Sequence, residues 1–213
     1  MKPLTLLFCL LLIPALACST SSIAESLVPS GGVLYQDFFG DSQSGWGELN
    51  QPEGIAGYTD GAYHLVVNKK KVNLWTHPGK DFSSTHSEVS VMPVSGPQAN
   101  RMGLVCRLKD DKNFYFGTIS ADGYYGIGKN KDGQTSLLTG SEMQPHNSIL
   151  TGSQINRIRM DCIGSSLTMY VNNTLVASAK DADFASGDVG ILAGSFDQPG
   201  PDVYFDNFVV YKP

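Results

Sequence analysis

The chain has 213 residues, 15 basic against 20 acidic, a formal net charge of −5, 41% hydrophobic residues and 23 glycines. Mild acidity with the two signs scattered leaves no basic stripe, which excludes a nucleic-acid footprint. The part that can fold, roughly 180 residues, is the size of one domain with a full core.

The first element is a leader. Lys2 precedes the apolar run LTLLFCLLLIPALA, and Ser-rich sequence begins at Ser19. A charged start, an apolar stretch short for a bilayer and small residues at its exit make an export signal. Two cleavage readings stay open. Ala15-Leu16-Ala17 satisfies the small-x-small rule of ordinary signal peptidase, whereas ALAC ending at Cys18 resembles a bacterial lipobox, with Ala15 where leucine is usual. On the second reading residues 1–17 are removed, Cys18 carries the lipid, residues 18–33 form a flexible tether and residues 34–213 form the domain. The expected location is extracytoplasmic, held to a membrane by the lipid or secreted.

Beyond the leader no helical period lasts more than a turn or two. Alternating runs recur instead at 62–67, 86–91, 101–108, 113–119, 123–129, 156–163, 166–172, 174–179, 188–194 and 203–211. The turn signals between them include TDG, ADG, NKDG and VNN. Regular short strands with Asp-Gly and Asn-rich turns predict an all-β, antiparallel sandwich. The basic run Lys69 to Lys71 reads as a solvated turn.

A period of two assigns faces. Ile158, Met160 and Cys162 fall on one side of their strand and should be core, with Arg157, Arg159 and Asp161 on the other. Val89 and Val91 point inward, so His86, Glu88, Ser90 and Met92 point out. Arg107 shares a side with Gly103 and Val105, opposite Leu104 and Cys106, which would bring it into a groove near Glu88. Cys106 and Cys162 invite one disulfide in an exported chain, although two small buried hydrophobes would also fit. Trp46 reads as a packing anchor. His64, His77, His86 and His146 lack zinc-ligand spacing, and neither a nucleophile elbow nor a phosphate loop is present.

The order of DFFGDSQSGW, GYTDGAYHL, DFSSTHSEVSVMP, MGLVCRLKDDKNFYFGTISADGYYGIGK, NRIRMDCIGSSLTMYVNNTLVA and GDVGILAGSFDQPGPDVYFDNFVVY resembles the concanavalin A-like lectin/glucanase superfamily. Within it, the laminin-G-like and keto-disaccharide hydrolase-like domains of bacterial lipoproteins are the nearest in pattern. The resemblance implies a jelly roll of two curved sheets with a ligand groove on the concave face. Family glucanases carry Glu-x-Asp-x-Glu on one strand, two carboxylates flanking the scissile bond. Here the pattern reads Glu88-x-Ser90-x-Met92, so both partner carboxylates are missing. A structural calcium on Asp206, with the Gly61 carbonyl, is also implied. Glu88, Arg107, His86, Ser90, Phe116, Thr118 and Trp75 are the expected ligand contacts. Three functions follow as expectations: a non-catalytic binder of carbohydrate or another envelope ligand, a hydrolase of the keto-disaccharide type, or an interaction module of the envelope.

Overall fold

The computed structural model describes residues 27–213, so the leader, Cys18 and most of the tether lie outside the described residues. Along them run β1 (Val33–Asp37), β2 (Leu49–Gln51), β3 (Gly54–Thr59), β4 (Ala62–Val67), β5 (Asn73–Thr76), β6 (Thr85–Ser95), β7 (Asn100–Asp110) and β8 (Asn113–Ile119). They continue as β9 (Tyr124–Lys131), β10 (Gln134–Leu137), β11 (Gln144–Pro145), β12 (Asn156–Ile163), β13 (Ser166–Val171), β14 (Thr174–Lys180), β15 (Asp188–Ser195) and β16 (Asp202–Tyr211). Each of the ten alternating runs falls on one of these strands. The six others are short or poor in apolar side chains, such as Gln134–Leu137 with a single leucine.

The strands form two antiparallel sheets. One has nine strands, in the order β14-β13-β12-β6-β16-β4-β3-β2 with β1 also on β16; the other has seven, in the order β10-β9-β8-β7-β15-β5 with β11 on β9. Consecutive strands β6 and β7, and β15 and β16, lie in different sheets, so the chain crosses repeatedly between layers. This is the expected jelly-roll sandwich. The tight turns carry the residues that a left-handed backbone needs. Asp60 and Gly61 have φ of 46° and 77°, Asp132 and Gly133 53° and 79°, and Asn172 and Asn173 50° and 66°.

The core lies between the layers. Val89, Val91, Ile158, Met160, Met169 and Phe205 come from the nine-stranded sheet, and Met102, Leu104, Tyr115, Ile119, Ile127 and Ile191 from the seven-stranded one. Each such side chain contributes about 1.5–3 kcal/mol of burial. Gly117 faces inward under two thioethers: a Cβ there would lie 3.1 Å from Met160 Sδ and 3.3 Å from Met169 Sδ. Trp46 is buried at one end of the core, edge-on to Phe39 and Phe208, and its Nε1–H donates to Asp37 Oδ2 at 2.9 Å. The sandwich also begins slightly ahead of residue 34, since Val33 pairs with Tyr211 and the Gly31 amide donates to the Lys212 carbonyl.

Cys106 of β7 and Cys162 of β12 are joined by a disulfide across 56 residues of sequence. The two strands belong to opposite sheets, so the bond ties layer to layer. Replacing both cysteines by alanine should lower unfolding free energy by about 2–5 kcal/mol. Urea denaturation of the variant, and of the wild type with and without reductant, measures this; identical curves would show that packing alone holds the layers.

Candidate functional site

Apart from Arg107, the expected ligand contacts divide between two outer faces that the core separates. His86, Glu88 and Ser90 lie on the outer face of the nine-stranded sheet, where register sets His86 opposite Asp161 and Glu88 opposite Arg159. The charges there satisfy one another. Glu88 is ion-paired with Arg157. Arg159 donates to both oxygens of Asp161 at 2.7 and 2.8 Å, lies 4.8 Å over the Tyr170 ring, and Asp161 also meets His86 Nδ1 at 2.7 Å. A depression of about 140 Å³ lies between Glu88, Arg157, Arg159, Tyr170 and Asn173. On the same sheet Asp206 accepts from the Asn207 amide and side chain at 2.6 and 3.0 Å, and shares a depression of about 250 Å³ with Asp60 and Gly61. Asp206 and Gly61 thus line one depression, which neither confirms nor excludes the expected calcium. Among the described residues, however, no group of three or more His, Cys, Asp or Glu gathers to hold a metal ion.

Arg107 is not beside Glu88, and that expectation is corrected. The ladder between β7 and β8 shifts register between Cys106 and Asp110, and Arg107 takes φ of 51°. This bulge breaks the alternation and turns the side chain inward, where it is 3% exposed. Its Nη1 donates to the Phe184 carbonyl at 2.8 Å. Tyr115 joins the same clasp, its hydroxyl donating to Asp181 at 2.6 Å and accepting the Phe184 amide at 3.1 Å. Arg107 therefore fastens the β14–β15 connection to the seven-stranded sheet.

The outer face of that sheet is built differently. Register sets Phe116 opposite Val105 and Gly128, and Gly128 opposite Leu137. In the next row Gly126, Thr118, Gly103, Leu192 and Trp75 follow one another across the strands. Beyond them Gly194 sits between Arg101 and Asn73. Val105, Leu108, Phe114, Phe116 and Leu192 form a second apolar cluster here, with Trp75 and Leu137 packed against it. Glycine is required where neighbours fold over the strand: a Cβ on Gly128 would lie 2.3 Å from the Phe116 ring and 2.6 Å from the Ser136 carbonyl oxygen. Thr118 is fully buried in this layer and its hydroxyl has no partner.

Above the layer opens a groove of about 580 Å³, a volume suited to a small ligand. Phe116 and Leu137 of the apolar layer form its floor and Arg101 with Phe196 one side; Thr135, Ser136, Ser141, Glu142 and Met143 complete it. Phe116 is only 3% exposed, so it supports the floor and offers no open ring face. Arg101 is fixed from two sides. Its guanidinium lies 3.9 Å from the centre of the Phe196 ring and its Nη1 donates to Asn73 Oδ1 at 3.1 Å. Burial lowers its pKa from the usual arginine range.

No family model and no curated protein matches the sequence. Solved structures do match. The carbohydrate-binding module CBM66 from Bacillus subtilis superposes with a TM-score of 0.64 at 19% identity, over 79% of this chain and 96% of that one. A protein of unknown function with a galectin-like fold, also from Bacillus subtilis, gives 0.61 at 13% identity, over 86% and 97%. A GH16 protein from Bacteroides ovatus gives 0.59 at 10%, over 84% and 100%. The chain has a concanavalin A-like fold. At these identities the likeness is one of architecture.

In this concanavalin A-like sandwich, strand β6 presents Glu88, Ser90 and Met92 outward, so the glucanase pattern is interrupted in space as it is in sequence. Arg101 was missed although the alternation that selected Arg107 selects it too, since it shares the side of Gly103 and Val105. Phe196 and Glu142 lie outside any strand, where a period of two says nothing. Arg107→Ala should cost about 1–3 kcal/mol, because the Phe184 carbonyl loses its buried donor. Thermal unfolding measures that loss, and an unchanged midpoint would remove Arg107 from the clasp.

Proposed function

We propose that this chain is an exported, lipid-anchored, non-catalytic domain that binds carbohydrate in the groove over the seven-stranded sheet. The observation that carries the proposal is the fixed cation in a groove with an apolar floor and a rim of polar residues. A sugar ring has an apolar face and a circumference of hydroxyls, and such a groove offers contacts for both. The names of proteins sharing the fold, a carbohydrate-binding module and a glycoside hydrolase family member among them, support the same reading. Among the described residues Glu142 is the one carboxylate lining the groove, whereas glycoside hydrolysis ordinarily needs two. Anchoring rests on the leader and Cys18 alone. A calcium on Asp206 would stiffen the far sheet and stand outside the groove.

A binding screen on the chain from Ser19 onward, against neutral and acidic glycans and with either calcium or chelator, tests the reading. Phe196→Ala and Leu137→Ala should each weaken a bound glycan about tenfold, as loss of a central contact does. Glu88→Ala should leave affinity within about twofold, the ordinary effect of a residue outside an interface core. Loss of binding in Glu88→Ala with none in Phe196→Ala would place the ligand on the nine-stranded sheet instead.

A further inference from the structure

Resting on the carbohydrate reading, we propose that the groove recognises an acidic glycan, with the guanidinium of Arg101 as counter-charge to a uronate carboxylate or a sulfate of the ligand. The chain contains four arginines, and the other three are committed. Arg157 is paired with Glu88 and Arg159 with Asp161, while Arg107 is buried on the Phe184 carbonyl. Arg101 has Asn73 as its hydrogen-bond partner and Phe196 as its stacking partner, and both are neutral. A guanidinium carries five N–H donors in a planar fork that matches a carboxylate or a sulfate. None of the Arg101 nitrogens is both buried and unpartnered, in contrast to Arg107 Nε, so the donors not given to Asn73 reach solvent on a residue that lines the groove.

The position is built. Gly194 lies opposite both Arg101 and Asn73, and a Cβ on it would come within 2.1 Å of Asn73 Oδ1. Only a bare backbone there lets Asn73 lie across the strand and hold the guanidinium, while Phe196 covers one of its faces. A cation so placed has lost part of its water without gaining an anion, and it recovers that loss when a ligand supplies one. Glu142 lines the same groove. It remains free to accept hydrogen bonds from sugar hydroxyls.

The test compares acidic oligosaccharides with their own neutral derivatives by titration calorimetry on the chain from Ser19 onward. The probes are oligomers of galacturonate, mannuronate and hyaluronan with their carboxyl-reduced forms, and sulfated chondroitin with its desulfated form. The expected result is binding at least about tenfold tighter for one acidic member than for its neutral derivative, the worth of one charge-assisted pair. Arg101→Gln should abolish that preference and Arg101→Lys restore part of it. The reduced forms separate a carboxylate from a sulfate without any variant, so a folding defect in Arg101→Gln leaves the comparison intact. Equal affinity for acidic and neutral partners would overturn the acidic class and leave the carbohydrate reading standing. No binding to either form, nor to the neutral glycans of the wider screen, would overturn both.

Discussion

The spacing of the two sheets governs what every other side chain can do. It is set by the bond between Cys106 and Cys162, and by the place where Gly117 leaves room for Met160 and Met169. With the layers this close, inward positions are filled mostly by apolar groups, because an unpaired polar group there costs several kilocalories, a cost that the buried Ser87 Oγ and Arg107 Nε bear. Chemistry is thereby pushed to the two outer faces, and residues of strands near in sequence can end on opposite sides of the molecule. Phe116 and Glu88 do so, although both point away from the core of their own sheets.

The two faces resolve their charge in different ways. On the nine-stranded sheet, cross-strand register places acids and bases opposite one another, and the side chains pair as cross-strand neighbours do. A ligand would have to compete with partners already in place. On the seven-stranded sheet the rows are filled by glycines and large apolar groups, which leave space above the strands, and Arg101 at its border is held by two neutral partners, Asn73 and Phe196. The difference arises from composition along single strands: RIRMD on β12 against GYYGIG leading into β9.

Alternation made most of the fold legible. Asn113–Ile119 and Asn156–Ile163 are read off their side-chain pattern to the residue, and the Asp-Gly and Asn-Asn turns lie where a left-handed backbone is needed. Pattern failed wherever the ladder departs from regularity. The bulge after Cys106 removed Arg107 from the face that a strict period assigns it, and in doing so obscured Arg101, which obeys the period. The partner of Glu88 was illegible because it comes from a strand some seventy residues away, and strand order is a property of topology that no local pattern carries. Phe196 and the segment bearing Glu142 belong to connections, so their approach to Arg101 follows only from the folded chain. The same holds for Asn73, whose role depends on the missing side chain of Gly194.

Amide chemical-shift mapping with a bound acidic oligosaccharide addresses the choice of face directly. Perturbations gathered at Arg101, Gly126, Gly128, Leu137, Ser141 and Phe196, with residues 86–92 unmoved, are the expected result. Perturbations gathered at Glu88, Arg157 and Tyr170, with the seven-stranded sheet silent, would contradict the assignment of the ligand to the groove beside Arg101.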